Sequence, residues 1–134
     1  MRLFVYGTLM SGMSNHHYLK GRVADLQQAR ARGLLYHLPY GYPAMVEGDG
    51  VVTGELVTLI DPAEILADLD ELEDYHGPGN PGNEYERVNR PVELMNGRMV
   101  TEAWVYLYCR GEEAARIGRL VKDGDWKKYI ATQD

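Results

Sequence analysis

The chain has 134 residues, 45% of them apolar, which is enough for one real hydrophobic core and too few for two comfortable domains, so a single domain over 1–134 is expected. Fourteen Lys and Arg against 20 Asp and Glu leave a formal charge of -6, with no basic block and no arginine-rich, aromatic-interleaved stripe, so no nucleic-acid partner is expected. No run approaches the roughly 18 apolar residues of a membrane span, and Met1-Arg2-Leu3-Phe4-Val5-Tyr6 has no signal-peptide apolar region with a cleavage site, so the expectation is a soluble, cytoplasmic protein without a membrane partner. Cys109 is the only cysteine, which excludes an intrachain disulfide and a thiolate zinc cluster. At the end of a strand-like run, it is expected to be a small buried residue.

In chain order, Leu3 to Tyr6 reads as a first strand running straight into Gly7-Thr8-Leu9-Met10-Ser11-Gly12. Ser14 can cap a short helix through Tyr18 or Leu19 that ends near Gly21. Gln28 to Leu38 reads mainly as strand, because Leu34-Leu35-Tyr36 outweighs Ala29 and Ala31. Pro39-Tyr40-Gly41-Tyr42-Pro43 is a turn-rich loop, Ala44-Met45-Val46 a short strand, Glu47-Gly48-Asp49-Gly50 the next turn, and Val51 to Leu59 the clearest strand.

Asp61-Pro62-Ala63-Glu64 then opens a helix with an acceptor at the cap, proline at the first helical position and a glutamate three residues after the cap. Ile65, Leu66, Leu69 and Leu72 form its apolar face. Glu73 projects between Leu66 and Leu69, while Asp68, Glu71 and Asp74 fall on the sides or back. A carboxylate on the inner face loses hydration, and at the last turn it meets the negative end of the helix dipole; both effects raise its pKa toward the range useful for moving protons near neutrality. The structural alternative is a glutamate that snorkels out or pairs with an arginine such as Arg87.

Gly77-Pro78-Gly79-Asn80-Pro81-Gly82-Asn83 is a surface loop. A hairpin follows: Val88, Val92 and Leu94 share one parity, Asn96-Gly97 supplies the turn, and Met99 to Tyr108 is a return arm with two largely uncharged faces, hence a central strand. Trp126, Tyr129 and Ile130 are expected to pack a last short turn against the body. Five or six strands with one long helix define an α+β fold, a highly curved mixed or antiparallel sheet closing into a small barrel flanked by one main helix and short helices. Its mouth can enclose a small ligand.

The turn at Tyr6-Gly7-Thr8-Leu9 presents backbone N–H groups suited to a carboxylate or an oxyanion, though a glycine there is also an ordinary turn residue. Neither a dinucleotide nor a nucleoside-triphosphate motif occurs. His16, His17, His37 and His76 have no metal spacing, and Ser11 and Ser14 lack a nucleophile elbow. Neither a cofactor nor a metal is expected. Ten tyrosines against one phenylalanine suggest rings lining a pocket wall or an interface, with Tyr36, Tyr85, Tyr106 and Tyr108 as strand candidates and a core ring with a satisfied hydroxyl as the alternative for each.

Phe4-Val5-Tyr6-Gly7-Thr8-Leu9-Met10, Gly33-Leu34-Leu35-Tyr36, Tyr42-Pro43-Ala44, Val52-Thr53-Gly54-Glu55-Leu56, Leu69-Asp70-Glu71-Leu72-Glu73-Asp74-Tyr75, Tyr85-Glu86-Arg87 and Ala103-Trp104-Val105-Tyr106 follow one another in a pattern that resembles the gamma-glutamylcyclotransferase-like (AIG2-like) family over nearly the whole chain. The resemblance implies a small mixed barrel with a cavity at one end. It also implies a loop at Tyr6, Gly7, Thr8 and Leu9 that binds the carboxylate and amine of a γ-glutamyl group, a catalytic Glu73, and release of 5-oxoproline without metal or cofactor. Tyr36, Tyr85, Arg87 and Tyr106, which stand in the matching segments, complete the candidate substrate-binding set. Asp74 departs from the family, many members having glycine there, and the Gly77–Asn83 loop, longer than a minimal connection, could act as a lid or set the size of the leaving amine. Alternative readings are a non-catalytic domain binding a glutamyl-like ligand, a γ-glutamyl-removing step of a biosynthetic pathway, and a structural protein with a tyrosine-rich interface. The oligomeric state is left open between monomer and weak homodimer.

Overall fold

Among the described residues the strands are β1 (Arg2–Val5), β2 (Val23–His37), β3 (Pro43–Leu59), β4 (Tyr85–Leu94), β5 (Val100–Tyr108) and β6 (Arg119–Leu120), and the helices are α1 (Pro62–Leu72), α2 (Gly111–Ile117) and α3 (Trp126–Ala131). The computed structural model describes residues 1–96 and 100–132. Gly97 of the expected hairpin turn and Met99, the expected start of the return arm, lie outside them.

The strands run in the order β3-β1-β5-β4-β2, and β2 pairs back onto β3, so the sheet closes; β6 is added to the end of β2. Every neighbouring pair around the ring is antiparallel except β1 with β5, which meet in parallel at Leu3 and Trp104. This is the small mixed barrel expected. Leu3, Phe4 and Val5 of β1 are all buried, as a central strand covered on both faces must be. On β5, Ala103, Val105, Tyr106, Leu107 and Tyr108 are buried too, which confirms the central position read from its two uncharged faces.

Glu47-Gly48-Asp49-Gly50 is not a turn between two strands. β3 runs unbroken through it, and four residues bulge opposite Gly33, because Arg32 pairs with Val51 while Leu34 pairs with Val46. A Cβ on Gly33 would stand 2.9 Å from the Val46 carbonyl oxygen, and one on Gly50 would stand 2.8 Å from that of Gly33, so the crossing is built of close backbone approaches that only glycine permits.

The 3-10 turn His16–Tyr18 replaces the expected short helix, and its cap is Asn15, whose side chain makes no capping bond. In α1, Ile65 and Leu69 are buried and Leu66 and Leu72 pack against the core. Pro62 stands at the first helical position, but Asp61 adopts a left-handed backbone (φ 49°) and its side chain makes no cap bond. Asp74 is also left-handed (φ 55°) and exposed, the conformation that favours glycine just past a helix end and that aspartate tolerates. Helix α2, not anticipated, follows β5 directly. Cys109 between them is exposed, contrary to expectation, because the strand ends one residue earlier and the alternation no longer applies. Trp126 on α3 is buried and donates its indole N–H to His37 Nδ1 at 3.1 Å, which docks the C-terminal helix on the barrel. No described helix is long and apolar enough to cross a membrane.

Candidate active site

At the end of β1 the chain turns at once. Met10 N–H donates to Gly7 O at 3.1 Å, and Asn15 donates through its backbone to Thr8 O at 2.8 Å and through Nδ2 to Thr8 Oγ1 at 2.9 Å. The amides of Thr8 and Leu9 donate to no acceptor among the described residues, and the Thr8 hydroxyl, accepting from Asn15, keeps its own proton to give. Together they form a small nest of donors suited to an anion. A Cβ on Gly7 would lie 2.5 Å from Pro43 Cγ. Pro43 has little freedom to yield, since its carbonyl receives the Tyr85 hydroxyl at 2.7 Å and it is paired with His37. Gly7→Ala is therefore expected to displace the donor loop, costing about 1–3 kcal/mol in a denaturation curve and raising KM more than it lowers kcat.

The far end of the same loop is held by Glu55 of β3. This carboxylate is buried and receives the Ser11 amide at 2.7 Å, the Ser11 hydroxyl at 2.5 Å and Lys127 Nζ at 3.2 Å. Burial alone would raise its pKa, but the two Ser11 bonds and the Lys127 charge outweigh that and hold it below the usual carboxylate value. The donor loop is thus tied to the barrel wall and to α3.

Beside the loop is a cavity of about 300 Å³. Tyr6, Gly7, Thr8 and Leu9 line one part of it, Leu72 and Glu73 another, and Tyr85 and Tyr106 a third. Glu73 is the C-cap of α1, its N–H donating to Leu69 O at 2.9 Å, so the helix end fixes the carboxylate against the cavity. It is part-accessible through that cavity while packed round by protein. Its pKa is pushed up to about 7, first by burial and then by the charge of Glu84. The desolvation follows from the inward placement of Glu73 on α1, whereas the second carboxylate comes from the other side of the Gly77–Asn83 loop.

The tyrosine hydroxyls have partners. Tyr6 donates to the Tyr106 carbonyl at 2.6 Å, Tyr85 to Pro43 O, Tyr106 to Asp70 Oδ1 at 2.6 Å, and Tyr42 to Glu84. Burial pushes the Tyr6, Tyr85 and Tyr106 phenols above their ordinary value, so they stay protonated and those protons stay committed to protein acceptors. The donors left for a bound anion are therefore the Thr8 and Leu9 amides and the Thr8 hydroxyl.

Six of the eight sequence-derived substrate-binding residues, Tyr6, Gly7, Thr8, Leu9, Tyr85 and Tyr106, meet Glu73 around the cavity. Arg87 and Tyr36 are not among its lining residues. Arg87 donates through Nε and Nη2 to Asp70, both at 3.2 Å, and lies over the Tyr75 and Trp104 rings. The alternative pairing of Arg87 with Glu73 is thereby replaced: the arginine's partner is one helical turn earlier. Tyr36 pairs with Leu120 of β6. Sequence reasoning missed Asn15, Tyr42 and Glu84 as lining residues. Only Tyr42 carried a signal, through the tyrosine excess. The Gly77–Asn83 loop contributes no lining residue; it is tied down by buried Asn83, which accepts the His76 amide at 2.6 Å and donates to Gly77 O at 2.8 Å. Among the described residues no group of His, Cys, Asp and Glu is placed to hold a metal ion.

A closed mixed barrel with a glutamate facing a donor loop across a small cavity defines a class, and residues 3–128 match the family described as "Gamma-glutamyl cyclotransferase, AIG2-like", to which the chain belongs. Among its relatives, the gamma-L-glutamyl-butirosin B gamma-glutamyl cyclotransferase of Niallia circulans is 34% identical over 95% of this chain and 76% of its own length. The gamma-glutamylcyclotransferase family protein YtfP of Escherichia coli K12 is 34% identical over 94% of this chain and 96% of its own. The structure of PH0828 from Pyrococcus horikoshii superposes with a TM-score of 0.68 at 26% identity, covering 98% of this chain and 93% of that one.

Proposed function

We propose that the chain is a cofactor-independent cyclotransferase that releases 5-oxoproline from a γ-glutamyl amine or dipeptide, with Glu73 moving the proton. The observation that carries this reading is a desolvated carboxylate at the end of α1 facing, across one small cavity, a loop of uncommitted backbone donors. The substrate's α-carboxylate would rest on those donors, which folds the glutamyl chain so that its own α-nitrogen approaches the γ-carbonyl. That nitrogen is protonated at neutral pH. Glu73 accepts the proton, the freed amine attacks, and a C–N bond forms to close the five-membered ring. The protonated Glu73 then delivers the proton to the departing nitrogen as the original amide bond breaks, and the second proton of the ring nitrogen passes to the released amine, which leaves as ammonium. Atoms and charge balance without water: one γ-glutamyl amine with a protonated α-nitrogen gives 5-oxoproline and the protonated amine. The name of the Niallia relative supports a leaving amine that is not an amino acid, as in a biosynthetic step. The exposed free thiol of Cys109 suits a reducing compartment, which favours a cytoplasmic location.

The test is a panel of γ-glutamyl compounds, including glutathione, γ-glutamyl dipeptides and γ-glutamyl-lysine, assayed for 5-oxoproline. Release from any member supports the reading, and binding without release across the panel would replace it with a ligand-binding domain. Since the base form of Glu73 starts the reaction, kcat/KM is expected to rise with pH to a plateau, with an acid-limb midpoint near 7. A midpoint near an ordinary carboxylate value would remove Glu73 from that role.

A further inference from the structure

Resting on the cyclotransferase reading, we propose that the leaving amine carries a positive charge on its far end and that Glu84 selects it. The charged residues lining the cavity are Glu73 and Glu84, with no lysine, arginine or histidine among the described lining residues. Two cations attached to the site's framework are engaged elsewhere, Arg87 with Asp70 and Lys127 with Glu55.

A γ-glutamyl substrate brings an α-carboxylate of its own, which the amides of Thr8 and Leu9 can receive. A dipeptide would bring a second carboxylate on the leaving half, into a space already holding two and offering it no cationic side chain. A cation on that half meets the opposite situation.

Glu84 is placed to receive it. It adjoins buried Tyr85, is itself partly exposed, and lines the same cavity as the donor loop. The Tyr42 hydroxyl binds Oε2 and fixes the carboxylate, while Oε1 has no hydrogen-bond partner among the described residues. The Tyr42 ring, also lining the cavity, adds an aromatic face of the kind cations favour. Glu84 and Glu73 line the same cavity, so the charge of one disfavours the charged form of the other.

The experiment compares γ-glutamylputrescine, γ-glutamylbutylamine and γ-glutamyl-γ-aminobutyrate, which share a reactive end and a similar chain length and differ in the charge of the leaving half. For the unaltered protein, kcat/KM is expected to fall by about tenfold from cation to neutral and by about tenfold again from neutral to anion. In Glu84→Gln the ratio of cation to neutral should shrink to within about threefold. Equal turnover of the three by the unaltered protein would overturn charge selection while leaving the reaction intact. A preference for the cation that survives Glu84→Gln would remove Glu84 from the role. No 5-oxoproline from any of the three would overturn both the reaction and the inference built on it.

Discussion

Replacing Glu73 by glutamine is expected to lower 5-oxoproline release by about 10²- to 10⁴-fold, the usual contribution of a positioned proton-transfer group. The amide keeps the size of the side chain and its place at the end of α1, so KM should change far less than kcat. The same variant is expected to be more stable than the parent at pH 8. Between the ordinary carboxyl value of 4.5 and the folded value of about 7, the folded chain holds a proton that the unfolded chain has lost. Stability therefore falls as pH rises through that window and stays reduced above it. Discounted for the water that reaches a cavity-lining group, the penalty removed by the amide is about 2 kcal/mol. Urea denaturation of both proteins at pH 8 and at pH 4 checks it: the advantage should be present at the first and absent at the second. Retention of full activity, or a stability difference independent of pH, would contradict the role and the electrostatics respectively.

The largest loss of stability is expected from Glu55→Ala. The substitution leaves the Ser11 amide, the Ser11 hydroxyl and Lys127 without their shared acceptor in a part-buried setting, at a cost of about 3 kcal/mol once screening of the part-exposed lysine is allowed for. The pKa of Glu55 is depressed, so its contribution is present above the ordinary carboxyl value and is lost as pH falls through the folded one. The mutational penalty should accordingly shrink in acid. Because Ser11 continues the loop that carries Thr8 and Leu9, KM for the γ-glutamyl substrate should rise in whatever fraction remains folded. A change below about 1 kcal/mol near neutrality would show that the cluster is no more than a surface ion pair.

What was readable in the chain was whatever depends on a repeating local pattern. The parity of β5 announced a central strand, and the apolar arc of α1 announced that Glu73 faces inward. The unreadable features depend on partners far along the chain. Glu47-Gly48-Asp49-Gly50 has all the chemistry of a turn, yet Gly33 on the neighbouring strand lets β3 bulge and continue. Helix α2 opens on Gly111, spans 7 residues and buries only Ala114, too little to impose a visible period. Asp61 has the residue type of a helix cap but a left-handed backbone that takes its side chain out of that role. Glu84 lies in a stretch without periodicity, and its position is set by Asn83 tying back the loop before it and by Tyr42 from β2–β3. Of the candidate site, then, the inward carboxylate of Glu73 and the donor loop could be read directly; the second carboxylate could not.

The parallel contact between β1 and β5 bears on how the protein comes into being. Leu3 finds its neighbour at Trp104, and the Tyr6 hydroxyl reaches the Tyr106 carbonyl, so the donor loop at the very start of the chain is completed by residues about a hundred positions later. A ribosome-bound chain that has not yet released β5 holds the loop, Glu73 and the long β2–β3 ribbon, but has no barrel to arrange them in. Closing so wide a loop is slow and entropically costly, and it must come before the last strand pairings can reward it. The cavity therefore gains its Tyr106 wall only when β5 pairs, after the β1–β3 and β2–β3 pairings that the earlier part of the chain can already make.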